Sequence, residues 1–83
     1  MKKTRDGLLD KVLHGSGVLS FRELELALGR LGFTLQRTSG SHRIYAHPRC
    51  NRPLSIQPKG NEAKPYQVRQ LRDMIKEFNL LDL

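Results

Sequence analysis

Three side chains in this sequence belong to the residue type that exchanges a proton near neutral pH: His14, His42 and His47. Acidic residues aside, they are the natural candidates for general acid or base. His42 stands out through its neighbours, the segment Arg37-Thr38-Ser39-Gly40-Ser41-His42-Arg43. A small, flexible loop lets a phosphate approach the backbone closely. Exposed N–H groups and flanking guanidinium groups can then hold that anion. A histidine placed there can take the proton of a ribose 2′-hydroxyl, so that the alkoxide attacks the adjacent phosphorus and displaces the 5′-oxygen. That route requires no metal, and the sequence has no carboxylate cluster to hold one. The other reading is a histidine that only contacts phosphate or lines the loop. Arg37, Gly40, Ser41, Arg43, Lys59 and Lys64 are the candidate phosphate-binding residues.

The remaining candidates have blander readings. His14 sits beside a helix breaker, as a surface or C-terminal capping residue. His47 precedes Pro48 and should be extended, with a structural role at a strand end favoured over a general acid. Ser41 beside His42 is no hydrolytic pair, because adjacent strand side chains point apart and no nucleophile elbow is present. Lys59-Gly60-Asn61 lacks Walker spacing. Tyr66 can stack on a base or pack against the sheet, and packing is favoured.

Strand parity leaves the direction of His42 open. Ile44 and Ala46 should share its face, while Arg43, Tyr45 and His47 share the other. If Ile44 faces the core, His42 points inward unless the loop turns it out. If Tyr45 faces the core, His42 lies on the open face without strain.

Charge supports an anionic partner. Fifteen Lys+Arg against eight Asp+Glu give a net charge of +7 over 83 residues. Between Leu26 and Asn61 there is no acidic residue, while Arg30, Arg37, Arg43, Arg49, Arg52 and Lys59 all lie there. A one-signed field over the middle of a small domain attracts polyanions, nucleic acid above all, although a basic face can also serve solubility. No apolar run reaches the roughly 18 residues that read as a membrane span, and no signal peptide is legible. The single Cys50 cannot form an internal disulfide, which fits a reducing cytosol, and it excludes a Cys-rich zinc site.

The elements that must position these residues follow from periodicity. Thr4 to His14 carry Leu8, Leu9, Val12 and Leu13 at helical spacing, and Gly15-Ser16-Gly17 breaks the pattern. This reads as an appended helix on a flexible joint, residues 1–17, before a main domain of residues 18–83. Ser20-Phe21-Arg22-Glu23 is a capping box. Phe21, Leu24, Leu28 and Leu31 then form one buried face, and Gly32 ends the helix. Strands are expected over Phe33–Arg37, Arg43–His47 and Leu54–Gln57, with a hairpin loop at Thr38-Ser39-Gly40-Ser41 and a stop at Pro58. A last helix begins near Pro65, with Val68, Leu71, Ile75 and Phe78 as its apolar stripe. The expected fold class is α+β: order α-β-β-β-α, a three-stranded antiparallel sheet with both helices on one face, plus the N-terminal helix.

The succession Phe21-x-x-Leu24, Leu31-Gly32-Phe33, Arg37-x-x-Gly40-Ser41-His42-Arg43-Ile44-Tyr45, His47-Pro48, Gln57-Pro58 and Lys64-Pro65-Tyr66-Gln67-Val68 resembles the HicA toxin family. It looks like the longer branch, with an extra N-terminal segment, over about Leu19 to Leu80. The resemblance implies a fold similar to the double-stranded RNA-binding domain. It also implies a toxin of a type II toxin–antitoxin pair that cleaves mRNA in the cytoplasm, without a cofactor, and is blocked by a HicB-like antitoxin. The family's catalytic histidine falls on His42 and its glycine on Gly40. Many members carry two consecutive histidines after the serine; here Arg43 stands second. Two other readings are a non-catalytic RNA-binding module of the same topology and an interaction protein whose N-terminal helix docks a partner.

Overall fold

The computed structural model describes residues 7–16 and 18–81. Thr4 to Asp6, where the first helix was expected to start, and Gly17 of its breaker lie outside them. Helix α1 (Gly7–His14) is followed by α2 (Phe21–Leu31), then strands β1 (Thr34–Ser39), β2 (His42–Ala46) and β3 (Leu54–Ile56). Two further short strands, β4 (Pro58–Lys59) and β5 (Glu62–Ala63), precede α3 (Pro65–Glu77). Strands β1, β2 and β3 form an antiparallel sheet in that order. The architecture is the expected α+β fold.

Helix α2 begins and ends where local chemistry requires. The Glu23 N–H donates to Ser20 Oγ at 3.0 Å and the Ser20 N–H donates to Glu23 Oε1 at 3.0 Å, so the capping box is closed on both sides. That backbone hydrogen bond, together with Lys11, holds the Glu23 carboxyl below its usual range. Gly32 closes the helix with φ 97° in the left-handed region. A Cβ there would stand 3.1 Å from His47 Nε2. Gly32→Ala should therefore cost about 1–3 kcal/mol of stability, from unfavourable backbone and crowding together. Urea denaturation of the two proteins measures it, and an unchanged midpoint would contradict the argument.

One apolar core joins all the layers. It contains Val12 from α1, Leu24, Leu28 and Leu31 from α2, Tyr45, Leu54 and Ile56 from the sheet, and Val68, Leu71 and Ile75 from α3. Each fully buried Leu or Ile stabilises by about 1.5–3 kcal/mol relative to exposure. Helix α1 is not merely tethered: Val12 is fully buried, and the Arg72 Nε–H donates to its carbonyl at 3.0 Å. Gln67 is 3% exposed, and its side-chain amide serves the outer edge of β3. The Gln57 N–H donates to Gln67 Oε1 at 3.1 Å, and Gln67 Nε2 donates to the Ser55 carbonyl at 3.4 Å. These are bonds of the kind a further strand would make, so Gln67 caps that edge at Ser55 and Gln57.

The β4–β5 hairpin differs from the expected connector. Its two-residue strands, which pair with each other, are too short to show periodicity, and they are held in place by residues distant in sequence. The Phe21 N–H donates to the Asn61 carbonyl at 2.8 Å, and the Ala63 N–H donates to the Leu19 carbonyl at 2.9 Å. The hairpin thus holds the entry to α2.

Candidate nucleic-acid interface around His42

The β1–β2 hairpin turns through only two residues, Gly40 and Ser41, because Ser39 pairs directly with His42. Gly40 has φ 60° while Ser41 is not in the positive region. Glycine at the first central position with an ordinary second residue matches a II′ turn, whose twist suits the flanking strands. Both turn residues, and every residue of β1, are exposed.

Tyr45 resolves the direction of His42. Its side chain is 8% exposed, within the core, so His42 and Ile44 project from the opposite, open face of the sheet. His42 is exposed and makes no side-chain hydrogen bond among the described residues. Ile44 lies between Arg37 on β1 and Ser55 on β3. Simple alternation from the buried Phe33 would turn Arg37 toward the helices. A bulge between Leu35 and Arg37 shifts the register by one residue, bringing Arg37 opposite Ile44 and onto the same face as His42. The open face therefore presents Arg37, Ser39, His42 and Ser55 together.

The other candidate cations are placed differently. Arg43 lies on the core side of β2, where its Nη1 donates to Glu25 Oε2 at 2.8 Å and its guanidinium sits 5.6 Å from the centre of the Phe21 ring. It does not share a face with His42. Lys64 precedes α3 and donates to Gln57 Oε1 at 3.3 Å. Gln57 follows Ile56, the partner of Arg43, and so lies toward the His42 end of the sheet. Lys59 is exposed on β4, opposite Glu62 in the ladder. Arg37 and Lys59 have no ion-pair or hydrogen-bond partner among the described residues. Arg49 and Arg52 are engaged, with the Asn79 carbonyl at 2.8 Å and Glu77 at 2.7 Å.

His47 has a structural role. The Arg49 N–H donates to His47 Nδ1 at 3.0 Å, so the proton resides on Nε2, which donates to the Leu31 carbonyl at 2.8 Å. The ring also stands edge-on to Phe33, with centroids 5.0 Å apart. With both nitrogens occupied, it ties the end of β2 to the end of α2. His14 is exposed at the end of α1. Tyr66, expected to pack, is 48% exposed, because the neighbouring Gln67 and Val68 take the buried positions at the start of α3. Among the described residues no three His, Cys, Asp or Glu side chains come together as a metal site, and no helix is long and apolar enough to cross a membrane.

Glu25 is the residue that sequence reasoning missed. The Tyr45 hydroxyl donates to Glu25 Oε2 at 2.7 Å, the same oxygen that accepts from Arg43. Burial, and then the hydrogen bond and charge of Glu25, push the Tyr45 hydroxyl up to about 12, so it remains a donor at neutral pH. Nothing local marks Glu25, which is one of two glutamates alternating with leucines.

No curated protein and no solved structure matches the chain. The family model described as HicA toxin of bacterial toxin–antitoxin matches residues 21–80, from the start of α2 past the end of α3. That span includes the whole sheet and the His42 turn and leaves out α1. A match over this much of the chain, on the fold and motif expected of such proteins, means that the chain belongs to the HicA toxin family, the toxins of bacterial toxin–antitoxin systems.

Proposed function

We propose that this protein is an endoribonuclease toxin that cleaves mRNA without a metal ion, with His42 as general base. The observation that carries the reading is the exposed His42 imidazole, unengaged beside a glycine turn and sharing its face with the unpaired Arg37. A single-stranded RNA laid across this face would place a phosphate between the turn and Arg37. His42 takes the 2′-hydroxyl proton, the 2′-oxygen bonds to phosphorus, and the bond from phosphorus to the 5′-oxygen breaks. The products are a 2′,3′-cyclic phosphate and a 5′-hydroxyl, the latter formed when the leaving oxygen takes up a proton. Arg37 holds the phosphate by charge-assisted hydrogen bonds, the interaction in which arginine is strongest. Gly40 and Ser41 let the backbone approach the strand closely, and Lys59 and Lys64 extend the positive field toward β3. The role left for Arg43 is in holding the strand rather than in contacting RNA.

A HicB-like antitoxin that covers the open face would hide His42 and Arg37 together, and the protein acts in the cytoplasm, where mRNA is found. The test is to incubate purified protein with RNA in excess chelator and analyse the ends. Cyclic phosphate termini should form at an undiminished rate. Loss of cleavage on chelation would replace the proposal with a metal-dependent mechanism, and RNA binding without any cyclic ends would make the protein a binding module.

A further inference from the structure

We infer that Glu25 is a positioning residue for His42: it clamps the β1–β2 hairpin to α2 by accepting from both Tyr45 and Arg43. The inference rests on the proposed ribonuclease activity and extends it to a residue on the opposite side of the sheet. Beyond Tyr45 the hairpin is held by the pairing of β2 with β3, which reaches Arg43 but not the turn or β1. All six residues of β1 are exposed, as are Gly40, Ser41, His42 and Arg43. Elements with few buried contacts open locally at low cost.

The clamp acts close to the histidine. Arg43 is the next residue along the strand, and strand alternation makes its direction and that of His42 opposite. Fixing the Arg43 guanidinium on Glu25 and over the Phe21 ring therefore adds to the pairing with β1 and β3 in holding the strand's rotation, and with it the projection of His42 onto the open face. Tyr45, two residues on, is fixed to the same Glu25 oxygen at 2.7 Å. Glu25 has 23% of its side chain exposed but Arg43 has 44%, so the ion pair is open to screening and the part-buried Tyr45 hydrogen bond is the more sheltered half of the clamp. His47 anchors the far end of β2, which leaves Glu25 as the side-chain tether nearest to the turn, beside the backbone pairing of Arg43 with Ile56. A misplacement of about 1 Å in a catalytic group costs on the order of a hundredfold in rate, so a loosened hairpin should register in turnover.

The test compares the full chain with Glu25→Ala and Glu25→Gln, by RNA cleavage kinetics and by amide hydrogen exchange. Glu25→Ala should lower kcat about tenfold or more with KM changed less than about twofold, because Arg37 still binds RNA. Exchange of the amides from Thr38 to Ile44 should accelerate about tenfold, while those from Val68 to Ile75 in α3 keep their rates. Glu25→Gln retains an acceptor for the Tyr45 hydroxyl and should fall between the two. An Ala variant with unchanged kcat would overturn the inference, as would exchange that quickens equally in α3 and the hairpin, the sign of global destabilisation. If the unmodified protein cleaves no RNA, the ribonuclease reading fails by itself. The exchange comparison then still decides whether Glu25 holds the hairpin.

Discussion

Replacing His42 with alanine should lower RNA cleavage by at least about a hundredfold, within the range of about 10²–10⁴ that a general base contributes. Growth arrest on expression should disappear with it. The fold should be untouched. His42 is exposed, lies outside the core and makes no side-chain hydrogen bond among the described residues, and such surface changes stay within about 0.5 kcal/mol. The two measurements belong together: loss of cleavage with an unchanged unfolding midpoint assigns the effect to chemistry. A variant that still cleaves at the parental rate would remove His42 from the mechanism. Binding gives a third readout. RNA affinity should be largely retained, because Arg37 and the lysines, which carry the charge, are intact, and affinity for a nucleic-acid backbone depends chiefly on neutralised phosphates.

The second large effect concerns α1, which lies outside the span matched by the family. A chain beginning at residue 18 loses Val12 from the core, together with the partly buried Leu8, Leu9 and Leu13 packed against it. Full burial of a valine is worth about 1.5–3 kcal/mol, and the three leucines add to it. The hydrogen bond from Arg72 to the Val12 carbonyl is lost as well. The ion pair between Lys11 and Glu23, at 2.9 Å but exposed, should contribute little. We expect a loss of about 3 kcal/mol or more, a large share of the roughly 5–15 kcal/mol available to a small domain. Urea denaturation would show it as a lower midpoint for the shortened chain. Coincident midpoints would mean that α1 rests on the domain without stabilising it, leaving it free for a partner.

The parts of the fold governed by local chemistry were legible in the sequence. Ser20 and Glu23 announce the start of α2, Gly32 its end and Pro65 the start of α3, because a cap satisfies backbone groups within one turn of itself. The strands were placed to within a residue or two, and the turn at Gly40-Ser41 is the second half of the expected loop, since Thr38 and Ser39 belong to β1. The small hairpin at Pro58–Ala63 escaped, because its strands are only two residues long and the bonds that dock it run to Leu19 and Phe21, far along the chain.

The segment from Arg37 to Arg43 divides the two levels most clearly. Its composition alone marked a glycine turn, a histidine and flanking cations, the groups of the proposed phosphate site. Which of those side chains act together was decided by tertiary structure. A strand's pattern repeats every two residues and does not say which face will be covered. Docking of Tyr45 and Arg43 against Glu25 turned His42 outward, and took Arg43 away from it. On the neighbouring strand one bulged residue reversed the parity and brought Arg37 onto the histidine's face. The sequence determined that this hairpin carries the glycine turn, the histidine and the flanking arginines. The packing of α2 and the register of β1 determined that Arg37, not Arg43, stands beside His42.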